Sequence, residues 1–178
     1  MTETKRLFFA VNVPESISSE IFSKISSKLP SGELKIIPEK NLHFTLLFIG
    51  NWSSEKANEI IEKGKTAEGK EFEIELNGIG KFHDRILWIG VKEGENELKQ
   101  IAVQLEKAVG LGEEKFSPHI TIARNKRMKK EEFAKLAEGL SKIPFSQKFT
   151  AKSFELMESE LLEKGAEYKK VFSFGLNR

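Results

Sequence analysis

Two of the three histidines in this chain stand in matching surroundings. The segment Asn41-Leu42-His43-Phe44-Thr45-Leu46 has a counterpart 76 positions later, Ser117-Pro118-His119-Ile120-Thr121-Ile122. Each contains a His-apolar-Thr-apolar tetrad opening an apolar stretch. In a strand, residues i and i+2 share a face, so His43 projects with Thr45 and His119 with Thr121. Each imidazole then has a hydroxyl roughly 6–7 Å along the same face. Phe44, Leu46, Ile120 and Ile122 go to the other face. Imidazole titrates near pH 6.5, so one neutral histidine can take a proton from water while a protonated one gives a proton to a leaving oxygen. Two threonine hydroxyls can hydrogen-bond the non-bridging oxygens of a phosphate held between them. That set of groups suits phosphodiester hydrolysis without a metal. A lone His-x-Thr has little specificity, since threonine belongs in strands on propensity alone. The weight comes from its duplication in a chain so poor in histidine.

The elements that must position these residues are legible from periodicity. Residues 6–13 form a short apolar strand stopped by Pro14. Ile17, Ile21, Ile25 and Leu29 predict a helix over 15–29, ended by Pro30-Ser31-Gly32. Strands are expected at 34–37 and at 42–49, the second closed by Gly50. Ser53 or Ser54 caps a helix to about Gly64. Phe72, Ile74 and Leu76 alternate with glutamates as a half-exposed strand, and 85–91 is a continuous apolar strand. Leu98, Ile101, Ala102, Leu105, Ala108 and Val109 make one helical stripe, stopped by Gly110 and Gly112. Residues 117–123 read as a strand, Phe133 to Leu140 as a short helix, and 146–157 and 168–175 as two closing strands joined by a polar loop around Glu163-Lys164-Gly165. Strands that follow one another without intervening helices imply an α+β fold with much antiparallel sheet. No linker or low-complexity segment divides the chain, so residues 1–178 are expected to form one domain.

Composition removes whole classes of function. The 29 Lys and Arg residues against 27 Asp and Glu give a net charge of +2, which excludes a polycationic arm but leaves room for a local basic patch. Cysteine is absent, so there is no disulfide framework, thiol nucleophile or cysteine-ligated metal. The apolar run at residues 7–13 is too short to span a membrane and lacks a convincing signal-peptide cleavage site, and a cytoplasmic protein is expected. No dinucleotide fingerprint is present, because Gly78-x-Gly80 lacks the third glycine and the following helix. Neither a His-x-x-x-His pair nor clustered carboxylates accompany the tetrads, so no metal or cofactor is expected.

The two tetrads match the His-x-Thr-x motifs of the 2H phosphoesterases. The wider chain resembles the LigT-like RNA 2′,3′-cyclic phosphodiesterases of the RNA 2′-5′ ligase family. The resemblance runs through Arg6-Leu7-Phe8-Phe9-Ala10-Val11, the Asn-Leu-His-Phe-Thr-Leu-Leu-Phe-Ile-Gly block at 41–50, Leu87-Trp88-Ile89-Gly90 and Pro118-His119-Ile120-Thr121-Ile122-Ala123-Arg124. It implies two pseudo-symmetric lobes of antiparallel sheet with outer helices around a central cleft, joined as one bilobal domain. It implies hydrolysis of 2′,3′-cyclic phosphate RNA ends to 2′-phosphate ends, with His43 as general acid and His119 as general base. The regiochemistry rests on the resemblance alone. The expected partners are RNA ends or nucleotides carrying a 2′,3′-cyclic phosphate, acted on by a monomer away from membranes. Two other readings stay open: the same site joining ends as a 2′-5′ RNA ligase, and a nucleotide-binding module with little turnover.

Arg124 looks like the arginine often found after the second motif, and a guanidinium suits phosphate. Its parity is opposite to that of His119, so it reaches the cleft only if the strand ends or bulges near Ala123. Five of the seven residues from Arg124 to Lys130 are basic, a solvated loop or a steering patch for RNA phosphates. Phe82 and His83 sit where an aromatic could stack on a base, although His83 reads as surface, and Trp88 as core within its apolar run. Tyr168, before the last strand, could touch a ligand but reads first as packing.

Overall fold

Alternation along the first strand already separates two faces. Leu7, Phe9 and Val11 are buried in the main core, whereas Phe8 and Ala10 belong to a separate small cluster with Met157 and Tyr168 on the other side of the sheet. The computed structural model describes residues 4–111, 116–162 and 165–178. Its elements are β1 (Thr4–Asn12), α1 (Glu15–Lys24), β2 (Leu34–Ile36), β3 (His43–Ser53), α2 (Ser54–Gly64), β4 (Phe72–Phe82), β5 (Ile86–Glu93), α3 (Glu95–Val109), β6 (Ile120–Asn125), α4 (Lys130–Ser141), β7 (Ser146–Ala151), β8 (Ser153–Leu162) and β9 (Gly165–Gly175). The strands form one antiparallel sheet in the order β7-β4-β5-β6-β3-β1-β8-β9, with β2 on the flank of β6. The two tetrad strands are the innermost pair of that order, so four of its strands lie in each half and β2 adds a fifth beside β6. This is the α+β, two-lobed architecture expected from the sequence. On the core side, α3 lies against β3 and β5, and α4 against β4.

Several elements differ from expectation for identifiable reasons. The first helix stops at Lys24, because Ile25 leaves helical geometry at φ −126° and a short 3₁₀ turn follows over Ser26–Lys28. Ile21, Ile25 and Leu29 are all still buried, so the spacing of apolar residues survived a change in helix type. Ser53 takes the N-cap position of α2 without a side-chain capping bond. Glu75 was expected on the exposed face of β4, yet it is buried beneath Lys92 and Lys148 at 3.0 and 3.2 Å. The lysine hydrogen bonds hold its carboxyl below the usual carboxylate range, with burial opposing. The closing segment holds three strands rather than two: the expected 146–157 strand breaks at Lys152, and β8 and β9 form a long hairpin. Gly110 ends α3 in the left-handed region at φ 80°, as expected. Gly112, Glu163 and Lys164 lie outside the described residues.

The irregularity that matters most sits in the tetrad strands. Along β3, Ala10 pairs with Thr45 but Phe9 with Leu47, so Leu46 is an extra residue. Along β6, Trp88 pairs with Thr121 but Leu87 with Ala123, so Ile122 is extra. Both strands therefore carry a β-bulge at the third residue after the histidine. Leu46 and Leu47 are both buried, as are Ile122 and Ala123. The strand parity flips after each pair. A further shift brings Gly50, not Ile49, opposite Leu7, so Gly50 lies inside the strand at φ 88° instead of ending it.

Candidate functional site

β3 and β6 meet at the middle of the sheet through the pair Phe44 and Ile120, both fully buried. In antiparallel register that pair sets His43 across from Thr121 and Thr45 across from His119. The four polar residues thus share the face opposite the core. A cleft of about 470 Å³ is lined by His43, Thr45, His119, Thr121 and Arg124 together. That volume is within the range that holds a nucleotide-sized ligand.

The two imidazoles are held in the same way. His43 Nδ1 donates to the Asn41 carbonyl at 2.7 Å, and His119 Nδ1 donates to the Ser117 carbonyl at 2.7 Å. A carbonyl can only accept, so Nδ1 carries the hydrogen in each ring and Nε2 is left as the acceptor nitrogen of the neutral imidazole. The Thr45 hydroxyl donates to His43 Nε2 at 2.9 Å. The strand spacing left those groups several ångströms apart; side-chain rotation closes the gap. Aromatic edges fix the ring planes. Phe8 and Tyr168 pack on His43 at 5.1 and 5.4 Å, and Phe82 packs edge-on against His119 at 4.8 Å.

Both histidines titrate below the ordinary value. Burial is the main cause for His43, and the His119 and Arg124 charges add to it, while the hydrogen bond to Asn41 opposes. Burial also leads for His119, Arg124 adds, and the bond to Ser117 opposes. The net balance in each case favours neutral imidazole in the open cleft.

Arg124 reaches the cleft through the bulge at Ile122, which removes the parity objection. The same device in β3 brings Phe48 to the cleft side, 49% exposed, with the Arg6 guanidinium 5.8 Å from its ring centre. Sequence reasoning missed Arg6, Lys35 and Phe48, which all line the cleft. Phe48 and Arg124 stand at the same distance from their histidines, and that correspondence was the available signal. Tyr168 packs as expected and also lines the cleft. Trp88 corrects its core assignment: it is half-buried on the Thr121 side, against Phe82 and directly over Gly80. His83 is exposed and outside the cleft lining. Among the described residues, the lining carries the cations Arg6, Lys35 and Arg124 and no carboxylate. Among the described residues, no three His, Asp or Glu side chains converge as a metal site.

Known proteins share this architecture and sequence. An RNA 2′,3′-cyclic phosphodiesterase of Archaeoglobus fulgidus is 34% identical over 177 residues, covering 95% of this chain and 99% of the relative. One of the same name from Methanocaldococcus jannaschii is 31% identical, covering 93% and 98%. Escherichia coli LigT complexed with 3′-AMP superposes with a TM-score of 0.84 over 99% of this chain and all of that one, at 23% identity, a likeness of fold. The sequence model of the 2′-5′ RNA ligase superfamily matches residues 13–162, and over that span, which holds both tetrads, this chain belongs to the superfamily.

Proposed function

We propose that the protein is an RNA 2′,3′-cyclic phosphodiesterase that opens cyclic phosphate ends to 2′-phosphate ends by two-histidine acid–base catalysis, without a metal. The observation that carries this reading is the cleft shared by two identically oriented imidazoles, two hydroxyls and a guanidinium. The relatives' names supply the substrate class. His119 draws a proton from water through Nε2, and the water attacks phosphorus in line. His43 protonates the departing 3′ oxygen. Thr45 and Thr121 hydrogen-bond the non-bridging oxygens, and Arg124 offsets their charge as it builds. Phe48 offers an apolar face beside the phosphate position for the nucleoside. The chain acts as a monomeric, bilobal unit in the cytoplasm; no helix among the described residues is long and apolar enough to cross a membrane.

The test is to incubate pure protein with a 2′,3′-cyclic nucleotide in EDTA and identify the product. A 2′-phosphate formed at an undiminished rate is expected. Loss of turnover that a divalent ion restores would replace the metal-free mechanism. The superfamily description favours one second reading, joining of ends: a 5′-hydroxyl takes the place of water at the 2′,3′-cyclic phosphate, His119 removes its proton, the 3′ oxygen leaves with a proton from His43, and a 2′-5′ linkage forms. Product analysis with both RNA ends present separates the two directions.

The pH profile carries a signed expectation. The mechanism needs one imidazole neutral and the other protonated, so rate is bell-shaped in pH, with limbs that belong to the pair. In the free protein burial and Arg124 hold both histidines low. The kcat/KM bell, which reports the free enzyme, is therefore centred on the acid side of ordinary histidine titration. A bound phosphodiester anion stabilises imidazolium and raises both values, so the kcat bell moves to higher pH. Superimposable kcat and kcat/KM profiles would contradict this electrostatic picture.

A further inference from the structure

We infer that the strip formed by Lys35, Arg124, Lys126, Arg127 and Lys129 is a binding rail for the phosphodiester backbone of the RNA strand leading into the cleft. The inference rests on the reading of the cleft as a site for cyclic phosphate ends. Such an end is the 3′ terminus of its strand, so the polymer leaves the site in one direction only, through its 5′ phosphates. One flank of the cleft must therefore accept a polyanion.

The β2–β6 flank has that chemistry. Lys35 and Arg124 are direct cross-strand partners, both exposed, and both line the cleft. Like charges directly opposite each other destabilise an antiparallel pair. Among the described residues, no carboxylate forms an ion pair with either of them, nor with Lys126, Arg127 or Lys129. The neighbouring Lys130, by contrast, is paired with Asp84 at 3.7 Å. The juxtaposition is relieved when an anion lies between the cations.

The strip continues past the end of β6 on an ordered loop. The Lys126 and Arg127 amides donate to the Glu33 carbonyl at 3.0 and 3.3 Å, extending contact with the β2 side. The Asn125 side chain receives the Met128 amide at 2.8 Å and donates to the carbonyls of Asp84 and Met128. Lys126, Arg127 and Lys129 are thereby presented to solvent from a braced backbone. The tip of the β8–β9 hairpin reaches this flank, where Gly165 lies beside Lys35 and Glu167, across from Glu160, meets Lys40 at 3.1 Å. The cations of the strip draw an RNA strand along the β2–β6 side.

The experiment compares wild type with the triple variant Lys126→Ala, Arg127→Ala, Lys129→Ala. The substrates are a hexaribonucleotide with a 2′,3′-cyclic end and a 2′,3′-cyclic mononucleotide. The variant is expected to raise KM for the hexamer about tenfold or more at low salt, with kcat and all mononucleotide kinetics unchanged. The logarithmic salt slope of hexamer binding should become shallower by about 2, because three phosphate contacts are lost. Unchanged hexamer KM and salt slope, with the mononucleotide still hydrolysed, would overturn the rail and leave the cleft reading intact. If wild type hydrolyses neither substrate, the cleft reading has failed by itself. Equilibrium binding of a hexamer ending in 2′-phosphate then decides the rail: weaker binding by the variant upholds it, and equal binding overturns it.

Discussion

His119→Ala and His43→Ala should each lower kcat by roughly 10²–10⁴-fold, the range that positioned proton transfer supplies. Nucleotide binding should change much less, because the lost interaction operates in the transition state. The two variants are told apart by the leaving group. An aryl phosphodiester whose leaving group departs without a proton should largely rescue His43→Ala, the variant lacking the acid. It should leave His119→Ala slow, since water still needs its base. Each variant should also lose one limb of the pH profile. Equal rescue of both, or rescue of His119→Ala alone, would reverse the assignment. The aromatic supports make the comparison clean. Phe8, Tyr168 and Phe82 pack on the rings from the sides and belong to other strands, so removing an imidazole leaves the backbone bond between Phe44 and Ile120 strands in place.

The threonines should give the next largest effect, and they should not behave alike. Thr45→Val and Thr121→Val keep shape and remove a hydroxyl. Loss of one donor to a charge-building oxygen typically costs about 10²-fold in kcat. Thr45 has a second partner, His43 Nε2 at 2.9 Å. Its hydroxyl donates to the neutral imidazole and fixes the ring together with the Asn41 carbonyl. Thr45→Val should therefore cost more in kcat than Thr121→Val, because it loosens His43 as well as removing a donor to phosphate. Steady-state kinetics on both variants check this; equal losses would mean that the Thr45 bond does not position the ring.

The tetrads, the alternating strand faces and the α3 stripe were legible because each is a local pattern of residue types. His43, Thr45, His119 and Thr121 could be placed on one face from spacing alone. The bulges could not, because Leu46 and Ile122 are apolar residues in apolar strands and change no composition; what they change is register with a neighbour distant in sequence. Everything beyond them was consequently misjudged or unseen. Arg124 carries a parity objection that the real strand does not obey, and no pattern within the 42–49 strand singles out Phe48. Lys35 entered the cleft through pairing with β6, a contact 89 residues apart that nothing in its own short strand announces. Glu75 was misplaced for a related reason, since its lysine partners come from β5 and β7. The end of α1 was missed because a 3₁₀ turn keeps the apolar positions facing inward.

The paired bulges have one more consequence. A site built from two copies of the same tetrad is nearly its own mirror under rotation, and such a site would receive a phosphodiester equally well in either orientation. The fifth residue after each histidine ends that ambivalence. The same backbone device delivers a guanidinium, Arg124, on one side and a hydrocarbon ring, Phe48, on the other. The histidine and threonine pairs can remain near-duplicates while the two sides of the cleft differ, Arg124 beside Lys35 on one and a ring beneath the Arg6 guanidinium on the other, and the cyclic phosphate end proposed as ligand would then enter in a single direction.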